Sequence, residues 1–478
     1  MQASNFKQAL QIKNIKAKHQ ITDIPKNLGR DIMEWIINAY PDMVAVIDGK
    51  DGLDSIFTYN TGKFSNLQQN QSLFMELAAK ALEKYREEHA KELSEDKLLQ
   101  IDKIIKRLVE DPAWTRVLIK AASRPELRID ERLFNSKPGQ ILLENGVVDL
   151  ASGILRDASP EDLFTINSPI SYDPEATAPE WMRVIYEIFD GDEQLIHQFH
   201  KAIGSTLSAE MPEYIFFFIG KGANGKSLIT DILMAILGDY SSPAPSSIII
   251  QKPKQHISSD LNMLNGKYVV IITEIPVDGT VDEHSIKSIV GTRTSVSRAM
   301  YKDFTRVENT AKIIVSLNEM PAIKDFTMGL YRRIMLFEFK VSFLGREDTD
   351  LYDRLVSNEL PGIVNWLVAG YQAYKKEGLH QTEEMLNALD HYMSLSDPLY
   401  GFIKEMIVKD PKAKTWTKDI IQAYRAWEQS SNPAIHLSDD KLYKELSKRF
   451  LAHKGKSSDS LYHGLKLKSP TPEHDEVF

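Results

Sequence analysis

The sequence of 478 residues contains no cysteine. Disulfide bridges and cysteine-ligated zinc are therefore excluded. Long apolar runs are missing as well. The longest, such as residues 214–219 and 268–272, fall far short of the ~20 residues that a membrane-spanning helix needs. Residues 1–20 are polar and basic without an apolar core, unlike a secretory signal. No membrane partner and a cytoplasmic location, that of a bacterial host, are expected. A basic excess is also absent: 58 Lys and Arg stand against 67 Asp and Glu, giving a net charge of −9 and a pI of about 5.8. A general positive coat for wrapping nucleic acid is thereby excluded, which leaves local basic patches or a narrow channel.

What is present is ordinary globular material. Hydrophobic residues make up 42%, enough for several cores, and at ~100–200 residues per domain the length suggests three or four domains. Residues 1–30 hold six basic residues against the single acid Asp23, an arm that could touch a polyanion or simply stay solvated. Leu73, Leu77, Ala81, Leu82 and Tyr85 recur at helical spacing, and Leu98, Ile101, Ile104, Ile105 and Leu108 do the same. Asn145-Gly146 and Ser152-Gly153 mark turns between short apolar runs. Residues 181–207 read as helical, and 350–395 do so again. Between 210 and 340, short apolar strands alternate with helical or turn segments, the pattern of an α/β core with a largely parallel sheet.

One motif carries chemistry on its own. The apolar run 214–219 ends in Gly220-Lys221-Gly222-Ala223-Asn224-Gly225-Lys226-Ser227, which matches G-x-x-x-x-G-K-[ST] between a strand and a helix. The glycines let backbone N–H groups converge on phosphate oxygens. Lys226 supplies a cation for the β- and γ-phosphates, and Ser227 a hydroxyl for Mg²⁺. The helix over 228–237 aims its positive end at the anion. ATP with Mg²⁺ is the expected ligand. A P-loop also needs a carboxylate on a neighbouring strand. Glu274 follows the run 268–272, where it can hold Mg²⁺ through water or polarise the attacking water. A third run, 313–317, ends in Asn318, suited to orienting that water. Arg332-Arg333 follow; an arginine beside a γ-phosphate stabilises developing charge, often from a neighbouring subunit.

The order of these motifs resembles the superfamily 3 helicases of the phage, plasmid and poxvirus primase-helicase type. Leu142-Leu143-Glu144-Asn145-Gly146-Val147-Val148-Asp149-Leu150 with Gly153 is similar to one family segment. Tyr172-Asp173-Pro174-Glu175-Ala176 with Pro179 and Trp181 is similar to the next. Lys287, Gly291, Arg298, Tyr301, Lys302, Asp303 and Phe304 resemble the approach to the family's pre-sensor hairpin. Asn318 with Pro321, then Tyr331-Arg332-Arg333-Ile334, resemble its sensor strand and arginine motif. Glu359-Leu360-Pro361-Gly362-Ile363 with Trp366 and Gly370 resembles its helical lid. The likeness covers roughly residues 130–400. It departs at Thr273, which precedes a single acid, at Thr292-Arg293-Thr294, where the family often carries Gly-Asp, and at Tyr331, where it often carries Trp. The resemblance implies a hexameric ring that encircles one DNA strand and moves 3′ to 5′, with ATP between subunits and Arg332 or Arg333 as the finger.

Residues 295–301 and 304–307 alternate around Lys302-Asp303, which reads as a hairpin tip whose lysine meets phosphates. Lys287, Arg298 and Lys302 are the candidate strand contacts. The tail is locally basic: from Lys412 to Lys468 twelve Lys and Arg oppose six acids. A helix-like run from Asp439 presents Leu442, Leu446 and Phe450 on one face and Lys441, Lys444, Lys448 and Arg449 elsewhere, as in a winged helix that reads duplex DNA. The expected organisation is an N-terminal segment (1–60), a helical and mixed domain (61–205), a P-loop AAA+ core with lid (206–395) and a winged-helix domain (396–478). Two functions fit: a replicative helicase of a phage, plasmid or genomic island, and an origin-binding initiator that uses ATP as an assembly switch. A small-molecule kinase would leave the hairpin, the arginine pair and the tail unused. Primer synthesis is expected to belong to a separate primase or polymerase.

Overall fold

The structure is a computed structural model that describes residues 42–46, 55–67, parts of 73–103, 127–130, 133–210, 213–250, most of 263–290, 294–298, 304–308, 310–321, 323–324, 328–396, 399–431, 436–450, 452–453 and 461–468. Strands β1 (Val44–Val46), β2 (Ser55–Asn60), β3 (Lys63–Asn66) and β4 (Arg128–Ile129) form a sheet in the order β3-β2-β1-β4. The antiparallel meander β5 (Gln140–Leu143), β6 (Gly146–Asp149) and β7 (Ile154–Arg156) follows. Gly146 opens β6 at φ +148, and a Cβ there would lie 2.4 Å from the Arg156 carbonyl, so this turn admits only glycine.

Helices α1 (Pro179–Ile188) and α2 (Glu193–Gly204) lead into the central sheet. Its strands are β8 (Ile215–Ile219), β9 (Ser241–Pro243), β10 (Val269–Ile272), β14 (Lys312–Leu317) and β16 (Ile334–Glu338), in the order β16-β8-β14-β10-β9, every pair parallel. A parallel sheet must be covered on both faces, and the two-residue period of the strands shows how this is done. Phe216, Phe218, Ile271, Ile314 and Phe337 enter one core with Trp181, Phe199, α3 (Lys226–Leu237) and Ile363. Their neighbours Ile215, Phe217, Ile272, Ile313, Val315 and Leu336 enter a second core with Ile286 and Ile289 of α4 (Glu283–Val290). The first core also takes Ile141, Leu143, Val148 and Leu150 of the meander region, so packing is continuous across residue 205.

Around this sheet lie the short pair β11 (Val281–Asp282) and β15 (Ile323–Lys324), and an antiparallel hairpin of β12 (Thr294–Arg298) and β13 (Phe304–Glu308). The short α5 (Met328–Tyr331) precedes β16. Three helices follow it: α6 (Leu351–Asn358), α7 (Leu360–Glu377) and α8 (Glu383–Ser396). Helix α7 crosses α2 at backbone contact: a Cβ on Gly204 would fall 2.3 Å from the Tyr371 nitrogen, and one on Gly370 2.4 Å from the His200 carbonyl. The chain ends in a unit of α9 (Tyr400–Met406), β17 (Ile407–Trp416), α10 (Thr417–Ser431), α11 (Asp439–Arg449), β18 (Ala452–His453) and β19 (Leu461–Leu467). Its antiparallel sheet runs β17-β19-β18, and its own core gathers Phe402, Ile420, Tyr424, Leu442, Leu446 and Tyr462.

Candidate nucleotide site at the carboxyl edge of the sheet

Because every strand of the central sheet is parallel, all carboxyl ends share one edge. Ile219 pairs with both Leu317 and Glu338, so the loop after β8 stands beside Asn318 and Phe339. The chain leaves β8 for the far edge at β9, returns through β10 and β14, and then crosses β8 to reach β16. That reversal beside β8 is where open α/β sheets bind ligands.

The loop is fixed by backbone rather than by side-chain bulk. Gly222, Ala223 and Gly225 all have positive φ (+101, +47 and +85), a sequence of left-handed residues that turns successive N–H groups toward one side. A Cβ on Gly220 would meet the Asn224 Nδ2 at 2.0 Å, and one on Gly225 the Ile188 Cδ1 at 2.6 Å. Asn224, buried, donates from Nδ2 to the Phe339 carbonyl at 3.1 Å, and the Phe343 N–H donates to the Ala223 carbonyl at 2.6 Å. Gly225 then caps α3, whose first residue is Lys226.

Lys226 is buried, and desolvation lowers its pKa. Its ammonium donates to the Gly220 carbonyl at 2.6 Å, the Asn224 Oδ1 at 2.9 Å and the Asn318 Oδ1 at 3.5 Å. A phosphate can take over such donors, since an anion offers a desolvated ammonium a charge-assisted bond. Lys221, Ala223 and Ser227 are exposed around the loop. Glu274 is exposed two residues beyond β10. The sequence placed this carboxylate on a strand neighbouring β8; in the structure β14 lies between them, because β14 inserts when the chain returns from the far edge. Ser227 and Glu274 are thus available on the same edge for a phosphate-bound Mg²⁺.

The arginine pair lies elsewhere. Arg332 and Arg333 precede β16, at the amino edge of the sheet, where the Ile215 N–H donates to the Arg333 carbonyl at 2.8 Å. They are separated from the loop by a full strand, roughly 15 Å. Arg333 is half-buried and folds back, its Nη1 donating to the Gly329 carbonyl at 2.7 Å. Arg332 is exposed and makes no hydrogen bond or ion pair with the described residues. Lys287 on α4 pairs with Glu283 one turn earlier. Arg298 closes β12, but its side chain, Lys302 and the Lys448 side chain lie outside the described residues. Lys441, Lys444 and Arg449 are exposed on α11, opposite the buried Leu442 and Leu446. The basic arm at 1–30 is also outside them.

Sequence reasoning missed the ties that hold the loop. The Phe339 carbonyl and Phe343 N–H are backbone groups with no sequence signal. Ile188, which packs on Gly225, reads only as one more apolar position of α1.

Residues 34–190 match the family described as D5 N terminal like. The likeness is to viral proteins of the D5 primase-helicase type. Residues 218–333 match a family of unknown function, DUF5906. A protein of Acanthamoeba polyphaga mimivirus, named as a candidate helicase, L207/L206, is 24% identical over 313 residues, 60% of this chain and 33% of that protein. Primase D5 of fowlpox virus is 21% identical over 232 residues, 46% of this chain and 29% of the relative. The chain thus spans about a third of the length of these relatives. The apo structure of the NrS-1 C terminal region aligns at 12% identity and a TM-score of 0.49, covering 93% of this chain and 100% of that one.

Proposed function

We propose that this chain is an ATP-driven DNA helicase of a replication protein of D5 type, working as a hexameric ring in replication initiation of a phage, plasmid or genomic island. One observation carries the reading: the phosphate loop and Arg332 stand at opposite edges of one parallel sheet. An arginine there cannot reach the phosphates of its own chain. It can reach those of a second copy stacked edge to edge, and a ring is the closed form of that heterologous contact.

In this reading Lys226 and the loop N–H groups bind the β- and γ-phosphates. Ser227 and Glu274 hold Mg²⁺, which neutralises charge on the transferring phosphoryl group. Asn318, already bonded to Lys226, orients the attacking water. Arg332 of the adjoining copy meets the developing charge, and Arg333, tied to its own turn, keeps the turn rigid. The β12–β13 hairpin, with Lys302 in the sequence between its two strands, touches the threaded strand, which is moved 3′ to 5′. Six tips in a ring would place positive charge inside an acidic protein.

The C-terminal order of helix, strand, two helices and two strands suits a winged helix, with α11 as the duplex reader through Lys441, Lys444 and Arg449. Viral relatives named helicase and primase support a role in replication; we assign strand separation to this chain and primer synthesis to a different polymerase domain or partner. An initiator that uses ATP only to assemble is the second reading, supported by the separately cored basic unit. Fork unwinding separates them. The helicase reading expects ATP-dependent strand displacement by the wild type, none by Lys226→Ala, and a ring-sized mass with ATP. Wild type that binds duplex and hydrolyses ATP without separating strands would favour the initiator.

A further inference from the structure

A single carboxylate joins the arginine turn to the C-terminal unit. Asp390 sits midway along α8. Its Oδ1 accepts hydrogen bonds from two phenols, Tyr331 at 2.8 Å and Tyr400 at 2.5 Å, and its Oδ2 pairs with the Lys404 ammonium. The two tyrosine rings stack at 6.4 Å, 24° from parallel.

The three partners come from two parts of the molecule. Tyr331 is the last residue of α5 and is followed directly by Arg332. Gln381, just before α8, donates to the Tyr331 carbonyl at 3.2 Å and to the Ile334 carbonyl at 2.6 Å, so the turn is clasped on both sides. Tyr400 and Lys404 lie one turn apart on α9 and share a face. The other face of α9 is built into the C-terminal core. Phe402 is fully buried there, and a Cβ on Gly401 would lie 2.7 Å from the Trp427 ring. The end of β19 is tied on as well, Lys468 donating to the Lys404 and Met406 carbonyls at 3.0 and 2.9 Å. Moving α9 therefore moves both the C-terminal unit and two of the three donors on Asp390.

We infer that Asp390 is a positioning residue that couples duplex occupancy of the C-terminal unit to the placement of Arg332, through Tyr331 on one side and Tyr400 with Lys404 on the other. Two side chains of unlike kind on one face of α9 both end on the carboxylate, which a packing role alone does not require. The Tyr331 hydroxyl is the essential group on the ATPase side; a ring without it would stack but not bond. Burial pushes the Asp390 carboxyl up, yet the hydrogen bonds from Lys404, Tyr400 and Tyr331 outweigh it and hold the carboxyl below its ordinary value. The carboxylate thus stays charged at neutral pH and keeps all three donors.

The inference rests on the reading above, in which Arg332 acts on a neighbouring copy and the C-terminal unit binds duplex. The test compares ATP turnover of the full chain with and without a blunt DNA duplex, in wild type, Tyr331→Phe, Lys404→Met and Lys404→Arg. The expected result is duplex-stimulated turnover in wild type. Tyr331→Phe and Lys404→Met should cut the stimulation ratio about three- to tenfold, with KM for ATP and duplex affinity unchanged. Lys404→Arg, which keeps the charge, should restore it. Equal stimulation in all four proteins would overturn the coupling and leave the helicase reading standing. A wild type whose turnover ignores duplex would likewise overturn the coupling, and fork unwinding would then decide the helicase reading by itself. Loss of KM or melting temperature in step with stimulation would assign these residues to packing alone.

Discussion

Two buried lysines stand at opposite edges of the central sheet, and they differ in what surrounds them. Lys226, at the carboxyl edge, touches three oxygens, one of which belongs to the exposed Asn318. Lys312, at the amino end of β14, is wholly sealed: its ammonium lies on the Ser208 carbonyl and 5.6 Å from the Tyr268 ring. Burial depresses both, and takes Lys312 to about 7. Burial alone therefore does not mark a site. What sets Lys226 apart is a loop of positive-φ residues beside it and partners that an incoming anion can displace. The amino edge offers instead an exposed arginine, Arg332, suited to acting outward.

Substitutions should widen or close that contrast. The largest effect is expected at Arg332: Arg332→Ala should lower ATP turnover about 10³-fold, the low end for a finger in trans, while nucleotide affinity measured by fluorescence titration stays near wild type. Wild-type turnover in that variant would make the two edges independent. Lys226→Ala should cost about 10²- to 10³-fold in turnover, as for loss of one donor to a developing charge. It should also weaken nucleotide binding, which Arg332→Ala does not.

The Lys312 contrast is read by pH. With a folded pKa of about 7, Lys312 has shed its proton over a range in which the unfolded chain still holds one, up to roughly 10.4. Unfolding there takes up a proton, so stability rises with pH across that window and is flat in this contribution below it. Urea titrations of wild type and Lys312→Met at pH 7 and 9 should show the rise in wild type only. Parallel changes in both would place the buried charge elsewhere. The smallest effect concerns α11: Lys444→Ala should reduce the slope of log affinity against log salt for duplex by about 1. An unchanged slope would remove Lys444 from the contact.

Much of the carboxyl edge was legible in the sequence because its signals are local. Apolar runs ending at Ile219, Ile272 and Leu317 foretold three strands, and Gly225-Lys226-Ser227 foretold the loop. The insertion of β14 between β8 and β10 was not legible, since strand order depends on crossovers that leave no mark on a strand's own residues. The separation of Arg332 from its own loop was expected only through the resemblance, which implies a finger from a neighbouring copy; its cause, the parallel register that puts Arg333 level with Ile215 rather than with Gly220, left no mark on the residues themselves. Asp390 had no signal at all, because its partners lie 59, 10 and 14 residues away.

The separation of the two edges is tested most directly by mixing two inactive proteins. Lys226→Ala keeps Arg332, and Arg332→Ala keeps the phosphate loop. If one copy's loop is completed by another copy's arginine, the mixture should regain ATP turnover that neither protein has alone, and the gain should grow with total concentration. If Arg332→Ala is active by itself, or if the mixture shows only the sum of its parts at every ratio and concentration, the nucleotide is not clasped between copies.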